Sequence, residues 1–151
     1  MFTYRRSHRF ALTPDQLWDR IDQFDQFERW WPWLTELQIE GSGLTTGTIL
    51  QGVVNPPLPY RMRLRIELVE CVRPRSIDAT VGGDLSGGAR LRLRPEGGGT
   101  SVEAAWTIDV RHQAMRVVGR IGRPVLQWGQ DRVVEMTLRN LPPAFGFDGS
   151  T

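Results

Sequence analysis

Residues 60–68 read YRMRLRIEL, and this stretch decides the fold. Large apolar or aromatic residues alternate with charged ones, which is typical of a strand with one face on a core and the other in water. Strand patterns also cover residues 34–40, 46–54, 75–82, 85–93 and 102–110, and Gly or Pro stands at most of the junctions. Six consecutive strands joined by tight turns predict an antiparallel meander.

The meander is preceded by a strand and a short helix. Residues 2–11 predict the strand. Residues 13–16 read TPDQ, which combines a Thr cap, Pro at the first helical position and Gln at the capping-box position. The spacing of apolar residues predicts a short helix that ends near Phe24. A second turn over 27–31 is interrupted by Pro32.

After Arg111 the apolar period returns to the helical value. It predicts helices over 113–121 and 125–141, with a flexible tail after residue 142, where two prolines end the second helix. Only the second helix is long enough to cover the meander. The predicted fold class is therefore α+β, a single domain over residues 1–151 in which a curved antiparallel sheet of about seven strands surrounds a long C-terminal helix.

Composition excludes several kinds of site. The single cysteine, Cys71, allows no internal disulfide. His8, His112 and Cys71 lack metal-ligand spacing, and no glycine cluster precedes a helix as a phosphate loop does, so no metal or cofactor is expected. Gly87-Gly88 predicts a bulge that helps the sheet to curl. No apolar run approaches the ~20 residues that span a bilayer, and no signal peptide is recognisable, which predicts a cytoplasmic location.

Charge gives little support to nucleic-acid binding. All 19 basic residues are Arg, and 17 acidic residues leave a formal net charge of +2. Every second residue is Arg in 61–65 and in 90–94, so these arginines all lie on one outer face. Asp78 and Glu103 lie on neighbouring strands, which favours a paired, solvated surface over an anion-binding one. The aromatic residues point to the other face, so no nucleic-acid partner is expected.

Three segments resemble the START-like superfamily, also called SRPBCC, and within it the polyketide cyclase/dehydrase-like proteins. The segments are residues 10–18 (FALTPDQLW), 30–33 (WWPW) and 123–131 (RPVLQWGQD). In one bacterial subgroup a His often precedes the Asp of the last segment, where this chain has Gln130. The resemblance implies a helix-grip fold with a deep apolar pocket. Members include lipid carriers, hormone receptors, aromatic polyketide cyclases and ubiquinone-binding proteins, so the fold alone does not choose a function.

Candidate ligand-binding residues come from the tryptophan-rich segment, from the inward faces of two strands and from the C-terminal helix. Each of them could instead be ordinary core packing. Trp106 is the leading candidate because it lies on the inward face of its strand. Gly129 would leave space on the covering helix at a cost of ~1 kcal/mol relative to Ala, although close packing on a strand would explain it equally well. The full set is Trp31, Trp33, Tyr60, Met62, Trp106, Trp128, Gly129, Val133 and Met136.

Polar candidates come from the first strand. If Tyr4 and Phe10 point inward, the two-residue period places Arg6 and His8 on the same face. These two could polarise a ligand carbonyl or shuttle a proton. The alternative interpretation has Arg6 exposed and His8 hydrogen-bonded in the core, because buried Arg and His need partners.

Two functions for one pocket follow from these candidates. The first is binding of a small hydrophobic or aromatic molecule (lipid, polyketide or quinone-like) between sheet and helix. The alternative is a cyclase or dehydratase that uses the same pocket. Two convergent polar groups within hydrogen-bond reach would favour the enzyme. The oligomeric state is left open.

Overall fold

The computed structural model describes residues 2–55, 61–110, 123–141, 145 and 147–150. The helices are α1 Pro14–Ile21, α2 Phe27–Trp30 and α3 Arg123–Arg139, with a 3-10 turn at Phe24–Gln26. The strands are β1 Phe2–Phe10, β2 Leu34–Glu40, β3 Ile49–Val54, β4 Met62–Val72, β5 Ser76–Gly83, β6 Leu85–Glu96, β7 Gly99–Val110 and β8 Phe147–Ser150. The predicted α+β class is confirmed.

The sheet contains the predicted meander. Its strand order is β2-β3-β4-β5-β6-β7-β1-β8, so the six strands from β2 to β7 pair in sequence order. Every pairing is antiparallel. The first strand returns to pair with the last strand of the meander, and this places Tyr4 opposite Trp106.

Helix α1 begins as the sequence predicts. Thr13 is its N-cap, and its hydroxyl accepts a hydrogen bond from the Gln16 backbone N–H at 3.3 Å. The Gln16 side chain in turn accepts from the Thr13 N–H at 3.0 Å. This reciprocal pair satisfies two backbone donors that the helix itself cannot use. The helix buries Leu17 and Trp18, which belong to the main hydrophobic cluster.

Helix α3 is attached to the core at its C-terminal end. Leu138 and Leu141 pack against the main cluster, which includes Phe10, Trp18 and Phe145. The predicted helix over 125–141 is confirmed with bounds shifted by two residues at each end, Arg123–Arg139. The predicted helix over 113–121 lies outside the described residues.

The chain end departs from the expected flexible tail. Phe147–Ser150 forms β8, which pairs antiparallel with β1 and places Ser150 opposite His8. The segment carries no strand signal in the sequence because it is short and contains Gly149. The outer edge of β1 offers unpaired backbone donors and acceptors, and pairing with them compensates for the weak local propensity.

Gly87 has a different role from the predicted bulge. The register between β6 and β7 runs without a shift from Leu85 to Glu96, so no bulge occurs at this position. A Cβ added to Gly87 would overlap the backbone carbonyl oxygen of Thr107 on the neighbouring strand. The glycine is therefore explained by a close approach of two backbones.

We expect Gly83→Ala to destabilise the fold more than Gly47→Ala. Both glycines have positive φ values, +96° and +95°, so alanine is strained at either position. A Cβ at Gly83 would also overlap the carbonyl oxygen of Arg63, whereas none of the described residues has an atom within 4 Å of one at Gly47. The added overlap should lower the free energy of unfolding by roughly a further 1–3 kcal/mol. Urea denaturation of both variants measures this difference, and equal losses would contradict it.

Candidate functional site

The concave face of the sheet carries an aromatic pair beside small residues. Tyr4, Trp106, Ala89 and Ala79 are consecutive partners across β1, β7, β6 and β5. The rings of Tyr4 and Trp106 stack with centroids 4.1 Å apart and planes inclined by 10°. Alanine side chains end at Cβ, so the residue directly opposite Trp106 on β6 and the next one in the row on β5 are both small.

Helix α3 contacts the aromatic pair through Gln130. The indole N–H of Trp106 donates to Oε1 of Gln130 at 3.1 Å. An indole nitrogen can only donate, so this bond fixes which end of the amide faces Trp106. The amide nitrogen, Nε2, is buried and has no hydrogen-bond partner in the part of the chain that the structure describes.

His8 and Tyr4 form the second polar feature. Tyr4 Oη lies 3.0 Å from Nε2 of His8, and each residue is 6% exposed. Four residues along a strand span about 13 Å, so the two side chains must lean toward each other over position 6. Arg6, which the strand period places on the same face, is exposed. The interpretation with a bonded His8 and an exposed Arg6 is therefore confirmed.

Burial keeps both members of this pair uncharged. Burial raises the pKa of Tyr4 above its ordinary value, an effect that Arg6 opposes and Asp131 increases. Burial lowers the pKa of His8, and the positive charge of Arg6 lowers it further. Both directions favour the neutral side chains at pH 7, so the pair is a neutral hydrogen-bonded dyad.

The tryptophan-rich segment before β2 packs against the end of α3. Trp31 donates its indole N–H to the Thr137 backbone carbonyl at 3.0 Å. Trp33 stacks on Trp31 with centroids 5.6 Å apart, and Trp30 packs edge-on against Phe145. Trp30 and Trp31 are thus explained by packing. Trp33 retains a buried N–H for which the described residues supply no acceptor.

Trp128 requires a correction. The sequence predicts that it lines the pocket, but it is 53% exposed. Two residues in a helix differ by about 200° in direction, so when Gln130 faces the sheet, the side chain at 128 points away from it. The apolar pattern over 125–136 could not show this, because Trp suits a surface as well as a core.

The remaining predicted residues are placed as follows. Met62, at the start of β4, and Val133 and Met136, in α3, are half-buried. Gly129 lies in α3, and its surroundings are outside the described part of the structure. Tyr60 lies outside the described residues altogether.

Tyr4 and Gln130 are site residues that sequence reasoning missed. The two-residue period that selected His8 also places Tyr4 inward, but the side-chain lean that joins them has no sequence signal. Gln130 precedes Val133 by three positions, which is the spacing of one helix face. That spacing could have identified it.

A groove on the outer face is a separate feature. It has a volume of about 640 Å³ and is formed mainly by outward residues of β1, β5, β6 and β7. Small side chains there, Gly88 and Ala105 among them, leave the space. The lining residues are Thr3, Tyr4, Arg5, Val69, Asp78, Ala79, Thr80, Gly88, Ala89, Arg90, Ala105, Trp106 and Thr107. It is not the pocket that the sequence predicts between sheet and helix.

Several outer arginines are paired with acids. Arg92 contacts Asp78 at 2.8 Å across β6 and β5, and Arg5 contacts Glu103 at 3.5 Å across β1 and β7. Among the residues that the structure describes, no group of His, Cys, Asp or Glu could hold a metal ion. None of the described helices is long and apolar enough to cross a membrane.

Solved structures share this fold at low sequence identity. TTHA0849 from Thermus thermophilus superposes with a TM-score of 0.71 at 16% identity, covering 92% of this chain and 93% of that one. Protein Ms6760 from Mycobacterium smegmatis gives 0.66 at 16% identity, with coverages of 91% and 87%. The di-domain ARO/CYC BexL from the BE-7585A biosynthetic pathway gives 0.71 at 14% identity. The match covers 92% of this chain but 48% of BexL, about half its length.

The sequence itself identifies the family. No curated protein matches the chain. The family model described as "Polyketide cyclase / dehydrase and lipid transport" matches residues 1–146, which is nearly the whole chain. The sheet, the capped first helix and the covering C-terminal helix agree with this assignment. The chain therefore belongs to the polyketide cyclase/dehydrase and lipid transport family.

Proposed function

We propose that the protein binds a small hydrophobic or aromatic molecule, of lipid, polyketide or quinone-like character, between the concave face of the sheet and α3. The observation that carries this proposal is Trp106. Its half-buried ring is stacked on Tyr4 and held by Gln130, next to a row of alanines. A rigid aromatic wall beside small side chains is suited to stacking a ring-bearing ligand.

The charge pattern agrees with an uncharged ligand. Tyr4 and His8 are neutral where they face the interior, and the charged Arg6 is exposed. An ionic ligand would lose its hydration in this environment without gaining a buried partner charge among these residues.

We expect Trp106→Leu to weaken binding of 2-ethylnaphthalene roughly 2- to 12-fold, because the loss of an aromatic contact costs about 0.5–1.5 kcal/mol. Trp128→Leu is the matched control, since it removes the same side chain from an exposed position. Equilibrium dialysis of the wild type and both variants measures the dissociation constants. Equal weakening by the two substitutions, or none by Trp106→Leu, would contradict the proposal.

A cyclase or dehydratase in the same pocket is the second candidate. The observation that favours it is the hydrogen bond between Tyr4 and His8, which brings two polar groups together on the concave face. Aldol-type cyclisation begins when a proton leaves a carbon next to a carbonyl group. In this candidate the carbon proton passes to the Tyr4 oxygen while the Tyr4 proton moves to Nε2 of His8.

The two functions differ in what they require of the dyad. A raised Tyr4 pKa and a lowered His8 pKa make this proton relay costly, which is why binding is the primary proposal. A binding protein needs the dyad only to satisfy buried polar atoms. An enzyme needs it to move a proton in the presence of a ligand carbonyl.

The enzyme candidate predicts that the protein accelerates hydrogen–deuterium exchange at the methyl group of 2-acetylnaphthalene. Tyr4→Phe keeps the ring on Trp106 but removes the hydroxyl, and His8→Gln removes the base. Each should reduce the protein-dependent rate roughly 100-fold. Proton NMR in D₂O follows the methyl signal, with Trp128→Leu as the control.

The pH profile of this exchange gives an independent check. The relay needs neutral His8, and the folded-state pKa of His8 lies below the ordinary 6.5. The protein-dependent rate should therefore persist as the pH falls past 6.5 and decline only below the lowered value. A protein that binds the ketone with no acceleration at any pH would exclude the enzyme candidate and leave the binding proposal intact.

A further inference from the structure

Within the described part of the chain, Gln130 holds a buried donor that is not used. Its Nε2 is buried, and the described residues provide no acceptor for it. An amide group that loses water without gaining a partner costs about 1–3 kcal/mol. Native proteins leave few such groups, so this one needs an explanation.

Amide rotation does not resolve the problem. Turning the amide over would place NH₂ against the Trp106 N–H, where two donors would face each other. Trp106 is itself fixed by β7 and by its stack on Tyr4. The donor therefore stays oriented away from the indole nitrogen.

The surroundings of this donor are those of a ligand contact. Gln130 is half-buried on α3, above the stacked Tyr4–Trp106 pair, and both Ala89 and Ala79 lie along the same row. A ring lying against Trp106 would bring a substituent at its edge near the amide nitrogen. The polar contact that Gln130 offers there is an N–H donor, which selects a substituent with an acceptor oxygen.

We propose that Gln130 is the specificity-determining polar contact of the pocket. Its Nε2–H donates to an acceptor oxygen on an aromatic ligand, and Trp106 fixes the amide in the donating orientation. The inference rests on the proposed binding function and adds the chemistry of the ligand's polar group. An aryl ketone fits the site, and a hydroxyl group fits it only as an acceptor.

The test compares two probes that differ at one group. 2-Acetylnaphthalene carries a carbonyl where 2-ethylnaphthalene carries a methylene. Gln130→Glu, studied at pH 8, keeps an oxygen for the Trp106 N–H but removes the donor. Gln130→Met removes both functions. We expect each variant to lose roughly 5- to 30-fold in affinity for the ketone and little for the hydrocarbon.

Two further readouts separate a ligand contact from a structural role. The carbonyl stretch of bound 2-acetylnaphthalene should lie at lower frequency in the wild type than in Gln130→Glu, because hydrogen bonding weakens the C=O bond. Trp106→Phe frees the amide to turn over and offer Oε1. That variant should gain affinity for 1-(2-naphthyl)ethanol relative to the ketone, since an alcohol can donate.

The outcomes distinguish the role of Gln130 from the proposed binding function. If the ketone-to-hydrocarbon affinity ratio is the same in wild type and in Gln130→Glu, with thermal melting showing both folded, the role of Gln130 is overturned and the binding function stands. If the folded wild type binds neither naphthalene, the binding function fails and the inference fails with it. An unshifted carbonyl stretch would also overturn the role of Gln130.

Discussion

The pairing of β1 with β7 is the constraint on which the rest of the structure depends. It brings the first nine described residues against the last strand of the meander and sets Tyr4 opposite Trp106. The stack, the dyad and the contact with α3 all follow from this register. A shift by one residue would turn Tyr4 and His8 to the outer face, because side chains alternate along a strand.

The register also determines what surrounds the buried polar groups of the concave face. His8 lies opposite Val102 and Ser150, between strands on both sides. The imidazole Nε2 of His8 forms a hydrogen bond with the hydroxyl of Tyr4 on the same strand. The hydrogen bond lets two neutral polar groups be buried together, and their neutrality favours an uncharged ligand.

Most of the fold could be predicted from the sequence because it depends on local patterns. The alternation at 60–68 and the cap at Thr13 each determine an element without reference to the rest of the chain. The site depends on tertiary geometry. Two side chains that lean toward each other along β1, and an amide oriented by an indole on another element, have no local signature. Trp128 shows that a local pattern can also mislead. The amphipathic pattern of the helix predicts an inward side chain, but Trp128 lies at the surface.

The contrast among the tryptophans has a spectroscopic consequence. Trp18 is buried, Trp30, Trp31, Trp33 and Trp106 are half-buried, and Trp128 is exposed. The long-wavelength part of the intrinsic fluorescence should therefore come mainly from Trp128. The interior indoles should emit at shorter wavelength. Replacing the one exposed indole would leave a protein whose emission reports on its interior, so that a colourless molecule entering between sheet and helix could be followed without any attached label.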